Sequence, residues 1–167
     1  LRDGDDAYDG SARGRLGGAV YGDGGDDALS GGRHGEVLFG DDLAGEAAGD
    51  DTLTGGGGAD TLTGGLGADL FTYLALTESR GAKADLIADL DASDRIDLSA
   101  IDADTARAGN QAFHLVAALD GHAREAALTY DAGHDITRLA LDVDGDGKAD
   151  ALILIAGDHH DFTNFVL

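Results

Sequence analysis

The residues of this chain that could do chemistry are its aspartates, and their spacing suits the holding of cations. From Gly55 to Thr72 a nine-residue unit occurs twice, GGGGADTLT then GGLGADLFT. Asp60 and Asp69 hold its sixth position, and Leu62 and Phe71 follow two residues later. A hard divalent cation such as calcium takes about six to eight oxygens from carboxylates and backbone carbonyls. Glycines supply the carbonyls, because their freedom at positive φ lets a tight turn aim successive C=O groups at one point. In these two copies and their weaker neighbours the candidate ligands among the glycines are Gly22, Gly25, Gly49, Gly56, Gly58, Gly65 and Gly67.

The repeat continues upstream in less regular form. GDGGDDALS, from Gly22 to Ser30, offers Asp27 and Leu29, and GGRHGEVLF, from Gly31 to Phe39, puts Glu36 where the aspartate belongs and His34 where a glycine belongs. Asp51 and Leu53 end a copy whose front half is swollen by DDLAGEAA, and Asp6 with Tyr8 ends another. The apolar markers run Tyr8, Val20, Leu29, Leu38, Leu53, Leu62, Phe71.

Each unit reads as a glycine-rich turn and a three-residue strand with one inward apolar side chain, so two units make one coil of a right-handed parallel β-roll. Turns on one edge of such a roll lie two units apart. The first edge then carries Asp6, Asp27, Asp51 and Asp69, and the second Gly18, Glu36, Asp60 and Glu78. One buried Leu per unit offsets little of the backbone entropy lost in ordering so many glycines, and rows of carboxylates repel one another. Metal binding should therefore be coupled to folding.

After Thr72 the glycine pattern stops, and the roll is expected over residues 1–78 with a β-rich cap over 79–167. Ala84 to Asp102 reads as short strands and turns closing the end of the roll. Phe113 to Ala118 and Ala127 to Tyr130 read as strands, and Ile136 to Val143 with Ala151 to Ile155 as an antiparallel pair around a loop. That loop, DVDGDGKAD, is a second candidate cation site, with Asp142, Asp144, Asp146 and Asp150 as acids and Lys148 offering its carbonyl. An EF-hand needs a glutamate where this chain has Ile153, and helices where it has strands. The loop is closer to the calcium loops of FG-GAP propeller repeats.

The 167 residues carry 33 Asp plus Glu against 11 Lys plus Arg, a formal charge of -22. Such charge disfavours nucleic acid and anionic membrane as partners and favours divalent cations. No apolar run reaches the roughly 18 residues of a membrane span. Cysteine is absent, which removes disulfides and thiolate metal sites.

The repeats, followed by GADLFTYLALTES, ADLIADLDASDRIDLSAID, the DVDGDGKAD loop with ALILIAG, and the ending FTNFVL, resemble the C-terminal region of the serralysin metalloproteases, and more broadly the RTX proteins with calcium-binding nonapeptides. The resemblance implies several bound calcium ions, about five to eight by turn count and ligand number. It also implies export from a Gram-negative bacterium by a type I (ABC) apparatus that reads the C-terminus. Here that end has Asp161 followed by Phe165, Val166 and Leu167, with Asn164 where an acid is common in the family. In the cytosol, calcium lies far below the roughly 0.1 to 1 mM range of extracellular modules, so the tail would leave unfolded and fold outside, stabilising an upstream domain of a longer parent.

No catalytic motif accompanies these features. The HExxH zinc motif of the serralysins is missing, the histidines at 34, 114, 122, 134, 159 and 160 are scattered, and no GxSxG elbow occurs. The neighbours His159 and His160 read as exposed polar residues. A module binding anionic polysaccharide through calcium, similar to the R-modules of secreted mannuronan epimerases, is the alternative, and the end piece of an adhesin is a third reading.

Overall fold

The computed structural model describes residues 1–11, 18–42 and 48–167, so most of the DDLAGEAA insert lies outside the described residues. The described chain is all β. Its strands are β1 (Ala7–Asp9), β2 (Ala19–Asp23), β3 (Ala28–Ser30), β4 (Val37–Asp41), β5 (Thr52–Thr54), β6 (Thr61–Thr63), β7 (Leu70–Thr72), β8 (Leu86–Ile87), β9 (Arg95–Asp97), β10 (His114–Val116), β11 (Glu125–Asp131), β12 (Ile136–Asp142), β13 (Ala151–Ala156) and β14 (Phe165–Val166). No helix in it is long and apolar enough to cross a membrane.

From β1 to β9 consecutive strands alternate between two sheets, as a roll requires. One sheet has the order β1-β3-β5-β7-β9-β14, and the other β10-β11-β12-β13-β8-β6-β4-β2. All pairings within the roll are parallel, and they align the apolar markers: Tyr8 with Leu29, Leu29 with Leu53, Leu53 with Phe71, and across the roll Val20 with Leu38 and Leu38 with Leu62. Each three-residue strand of the central coils turns only its middle side chain inward. Leu29, Leu38, Leu53, Leu62 and Phe71 are essentially inaccessible to solvent. A strand this short, with one buried side chain, suits the nine-residue period, because a longer one would leave too few residues for the turn.

The turns need glycine where coils touch. Gly67 has φ +147°, and a Cβ there would collide with the carbonyl oxygen of Gly49 in the preceding coil. Every other residue type is thereby excluded from that position without moving the stacked turns.

Both sheets run past Glu78. β8 pairs with β6 and β9 with β7, placing Ile87 beside Leu62 and Ile96 beside Phe71. The segment from Ala84 therefore adds a further coil to the roll where closing strands were expected. Beyond it the cap is stitched into the same sheet: β13 pairs in parallel with β8, while β11, β12 and β13 form an antiparallel meander. Alternation in β12 and β13 buries Leu139, Leu141, Ile153 and Ile155 against the same core as the roll residues. β14, at the C-terminus, pairs with β9.

Candidate metal centre

The sixth-position carboxylates form two rows, one along each turn edge. On the first edge, the amide of Asp6 donates to Asp27 Oδ1 (2.7 Å), Asp27 to Asp51 (2.8 Å), Asp51 to Asp69 (2.9 Å) and Asp69 to Asp94 (3.0 Å). On the second, Glu36 donates to Asp60 Oδ1 (2.6 Å) and Asp60 to Asp85 Oδ1 (2.9 Å), while the carbonyl of Gly18 takes the matching place at the upstream end by accepting from Val37. The sequence-derived edges are thus brought together as expected, with one correction. Asp85, not Glu78, follows Asp60 in register, because the chain between β7 and β8 is longer than a standard turn. Glu78 instead accepts a hydrogen bond from the amide of Leu74 (2.8 Å), and remains close enough for its charge to act on Asp60 and Asp85.

Using one carboxylate oxygen in this ladder leaves the other free. The Oδ2 atoms of Asp27, Asp51, Asp60, Asp69 and Asp85 are buried without a hydrogen-bond partner. A buried acceptor in that condition is costly, and a buried unpaired anion more so. Burial accordingly pushes these acids upward, Asp51 and Asp60 to about 6, Asp69 to about 7 and Asp85 to about 8, with neighbouring carboxylates adding to the rise and the ladder hydrogen bonds opposing it. Asp27 and Asp94 are raised for the same first cause. A divalent cation bound there would supply the missing partner and charge.

The free oxygens pack closely against glycines. A Cβ on Gly22 would strike Asp27 Oδ2 and the carbonyl of Gly40; on Gly40, Asp51 Oδ2; and on Gly64, Asp69 Oδ2. Carboxylate and carbonyl oxygens of adjacent coils are thereby drawn together at the turns, a donor set of the kind calcium takes. Among the glycines named from sequence, Gly25, Gly56, Gly58, Gly65 and Gly67 have positive φ. Gly49 lies buried against the carbonyl of Gly25.

Several contributors escaped the sequence reading. Asp85 and Asp94 share the Asp-x-apolar signature, with Ile87 and Ile96 two residues on, and stand nine apart like Asp60 and Asp69. Each is 25 residues from its row partner, where Asp51 and Asp69 are separated by 18, so one insertion displaced both from the expected frame. Asp41, buried, accepts from the amide of Leu66 (2.6 Å) and keeps Oδ1 unpartnered; Asp89 accepts from Gly64 and Gly65 (2.9 Å each). Outside these lies a solvent-exposed row, in which Asp26 donates to Asp5, Asp50 to Asp26 and Ala68 to Asp50.

In the loop between β12 and β13, Asp142, Asp144 and Asp146 converge, each with a carboxylate oxygen within 4.8 Å of the others. Asp142 is fully buried and accepts from Gly145 (2.7 Å) and Gly147 (2.8 Å). Asp150 is held apart, accepting from Val143 (3.0 Å) and lying 3.8 Å from Arg80, and the Lys148 ammonium pairs with Asp146 at 2.7 Å. Asp120, His122 and Glu125 form another convergent group, unforeseen from sequence because two are exposed turn residues. His159 and His160 lie outside any strand, and the His160 ring pairs with Asp158.

A family model described as Peptidase M10 serralysin C terminal matches residues 18–167. The chain belongs to the serralysin C-terminal family. Relatives of this serralysin C-terminal module include the metallopeptidase AprA of Pseudomonas marginalis, 42% identical over 88 residues, and the metalloprotease AprA of Pseudomonas entomophila, 41% identical over 89 residues. Each alignment covers 52% of this chain but only 17% and 18% of the relative, respectively. Among solved structures, the module is similar to the AlgE6R3 subunit of the Azotobacter vinelandii mannuronan C5-epimerase, with TM-score 0.63, 28% identity, and coverage of 98% of this chain and 78% of that one. The AlgE6R2 subunit of the same enzyme follows with TM-score 0.55, 25% identity, and coverage of 95% and 96%. The module is thus a non-catalytic, calcium-binding β-roll.

Proposed function

We propose that this module is a calcium-operated folding switch at the C-terminal end of a longer secreted protein of a Gram-negative bacterium. The observation that carries the reading is the row of buried, unpartnered Oδ2 atoms. Without cations the folded roll places like charges in a desolvated line, so the unfolded chain is favoured; with cations the same oxygens become ligands and folding is driven by binding. About five to eight ions follow from the turn count and the ligand rule, with Asp6, Asp27, Glu36, Asp51, Asp60 and Asp69 as carboxylate ligands. The Asp142–Asp146 loop is a further calcium site in this reading.

Low cytosolic calcium keeps the chain extended for a type I exporter that reads its C-terminus, and extracellular calcium folds it and steadies the upstream domain. Residues 1–78 serve as the roll and 79–167 as the cap, with β8 and β9 lending the last coil to the former. Titration of calcium into chelator-stripped protein, followed by far-ultraviolet circular dichroism with magnesium as control, tests this. A steep calcium-specific change from coil to β is expected, and a chain fully folded without calcium overturns the switch. Likeness to the epimerase subunits favours one second reading, calcium-bridged binding of a uronate polymer. Retention on alginate in calcium, absent on a neutral glucan, would establish it.

A further inference from the structure

The turn leading into β11 gathers Asp120, His122 and Glu125, each with a donor atom within 4.8 Å of the others. All three lie outside the nine-residue repeat. His122 Nδ1 is hydrogen-bonded to Asp120 Oδ1. Glu125 opens β11 and is only 5% exposed. Its Oε2 accepts from the amide of Asp120 (2.8 Å), which fixes the carboxylate, and its Oε1 stands 4.0 Å from His122 Nδ1, beyond hydrogen-bond reach of that ring. The adjacent Arg124 is engaged elsewhere, its Nε donating to the carbonyl of Ala112 (3.0 Å).

A second acid faces Glu125. The antiparallel pairing of β11 with β12 sets it directly opposite Asp142, which is fully buried. Directly opposed residues put their side chains on one face, about 4.5–5.5 Å apart at Cβ, where like charges are destabilising, and burial makes a poorly paired anion costlier still. Asp142 is compensated by the amides of Gly145 and Gly147. Glu125 has one amide and an imidazole too distant to bond, so a positive centre between Oε1, Asp120 and the ring is what the arrangement lacks.

We propose that Asp120, His122 and Glu125 bind a transition-metal dication of the zinc class. The site goes beyond the calcium reading and does not depend on it. Calcium and magnesium take oxygen ligands, whereas an imidazole nitrogen beside carboxylates suits zinc and its neighbours. A tetrahedral ion with bonds of about 2.0–2.2 Å separates its donors by roughly 3.3–3.6 Å. The exposed Asp120 and His122 side chains can meet that spacing by small rotations around a Glu125 already held in place, and water takes the fourth position. The ion also reaches into the fold. The amide of Arg124 donates to the carbonyl of Asp142 (2.9 Å), and a Cβ on Gly145 would meet Ala123 N at 2.9 Å and the Gly121 carbonyl oxygen at 3.3 Å. Filling the site therefore pins the 120–124 turn against the Asp142–Asp146 loop.

Zinc titrated into the intact chain in saturating calcium, followed by calorimetry, should show one site, and the ring C–H resonances of His122 should shift as it fills. His122→Gln alters a side chain that is 81% exposed, so circular dichroism should report an unchanged fold. The same variant should weaken zinc binding by at least the roughly 10- to 100-fold that outer-shell partners of a metal cost. Glu125→Gln should weaken it likewise; should that buried variant fail to fold, His122→Gln decides alone. His160→Gln, which removes the ring beside Asp158, should leave zinc binding as it was. Zinc affinity that ignores His122→Gln, or falls as far with His160→Gln, overturns the site. A zinc midpoint that rises in proportion to added calcium overturns the metal class, because the three groups then prefer the oxygen-seeking ion. Calcium-driven folding, read separately by circular dichroism, is untouched by any of these outcomes.

Discussion

The roll and the meander of β11 to β13 solve the same packing problem with different means. In the meander, β11 and β12 are seven residues each and fully paired, and β12 buries every second side chain. Its cohesion is apolar burial and backbone pairing, terms that need no ligand. In the roll, strands such as β5, β6 and β7 contribute three residues and one inward side chain each, and the turns place carboxylates in line with one oxygen unpartnered. The roll therefore carries unpartnered carboxylates coil after coil, whereas the meander gathers its acids at its ends and loops. On the proposed reading, a single continuous core, shared by both regions, is divided between a part that folds with calcium and a part that serves as its base.

Removing calcium is the strongest way to break that comparison. With a chelator, amide hydrogen exchange should lose protection in β3 to β7 first, and β11 to β13 should be the last to open as calcium falls; simultaneous loss everywhere would make the two regions one cooperative unit. Next in size, Leu139→Ala, which empties a fully buried position in the meander, should cost about 2–5 kcal/mol in denaturant unfolding even at saturating calcium. Asp51→Ala removes the carboxylate that accepts from the Asp27 amide and carries an unpartnered Oδ2 and should raise the calcium midpoint by about tenfold, or about 1.4 kcal/mol, with little loss once calcium is in excess. Smallest is Glu36→Ala: among the described residues its carboxylate accepts from Gly32 in its own turn (3.0 Å), so the midpoint should shift by less than for Asp51→Ala in the same circular dichroism titration. Equal shifts for both variants would contradict the difference between the edges.

Much of this was legible in the sequence because the repeat is a literal statement of geometry. Asp in the sixth place and an apolar residue two further on fix which atoms meet on an edge, and Asp27, Asp51 and Asp69 stack accordingly. The antiparallel pair around Asp142 to Asp150 was equally plain from alternation. What the sequence hid depended on irregular spacing. Asp85 and Asp94 carry the same signature as their partners, but the segment from Tyr73 to Ala84 adds seven residues to the 18-residue frame, as 25 against 18 shows, and a fixed period steps over them onto Glu78. Asp150 was expected beside Asp142; its backbone contact to Val143 and its proximity to Arg80 take it elsewhere. Neither contact has a local sequence signal, since Arg80 is distant in the chain.

The placement of β14 bears on how the molecule responds to load. Its two residues, Phe165 and Val166, lie along β9, joined by the amides of Ile96 and Leu98, while the Asn164 side chain reaches the carbonyl of Asp94 (2.6 Å). These few bonds, each worth about 1 kcal/mol net, and the packing of Phe165 and Leu167 against the core hold β14 to the body, against the seven paired residues of β11 and β12. A pull along β14 would thus meet a small latch before it reached the longer pairing of the meander.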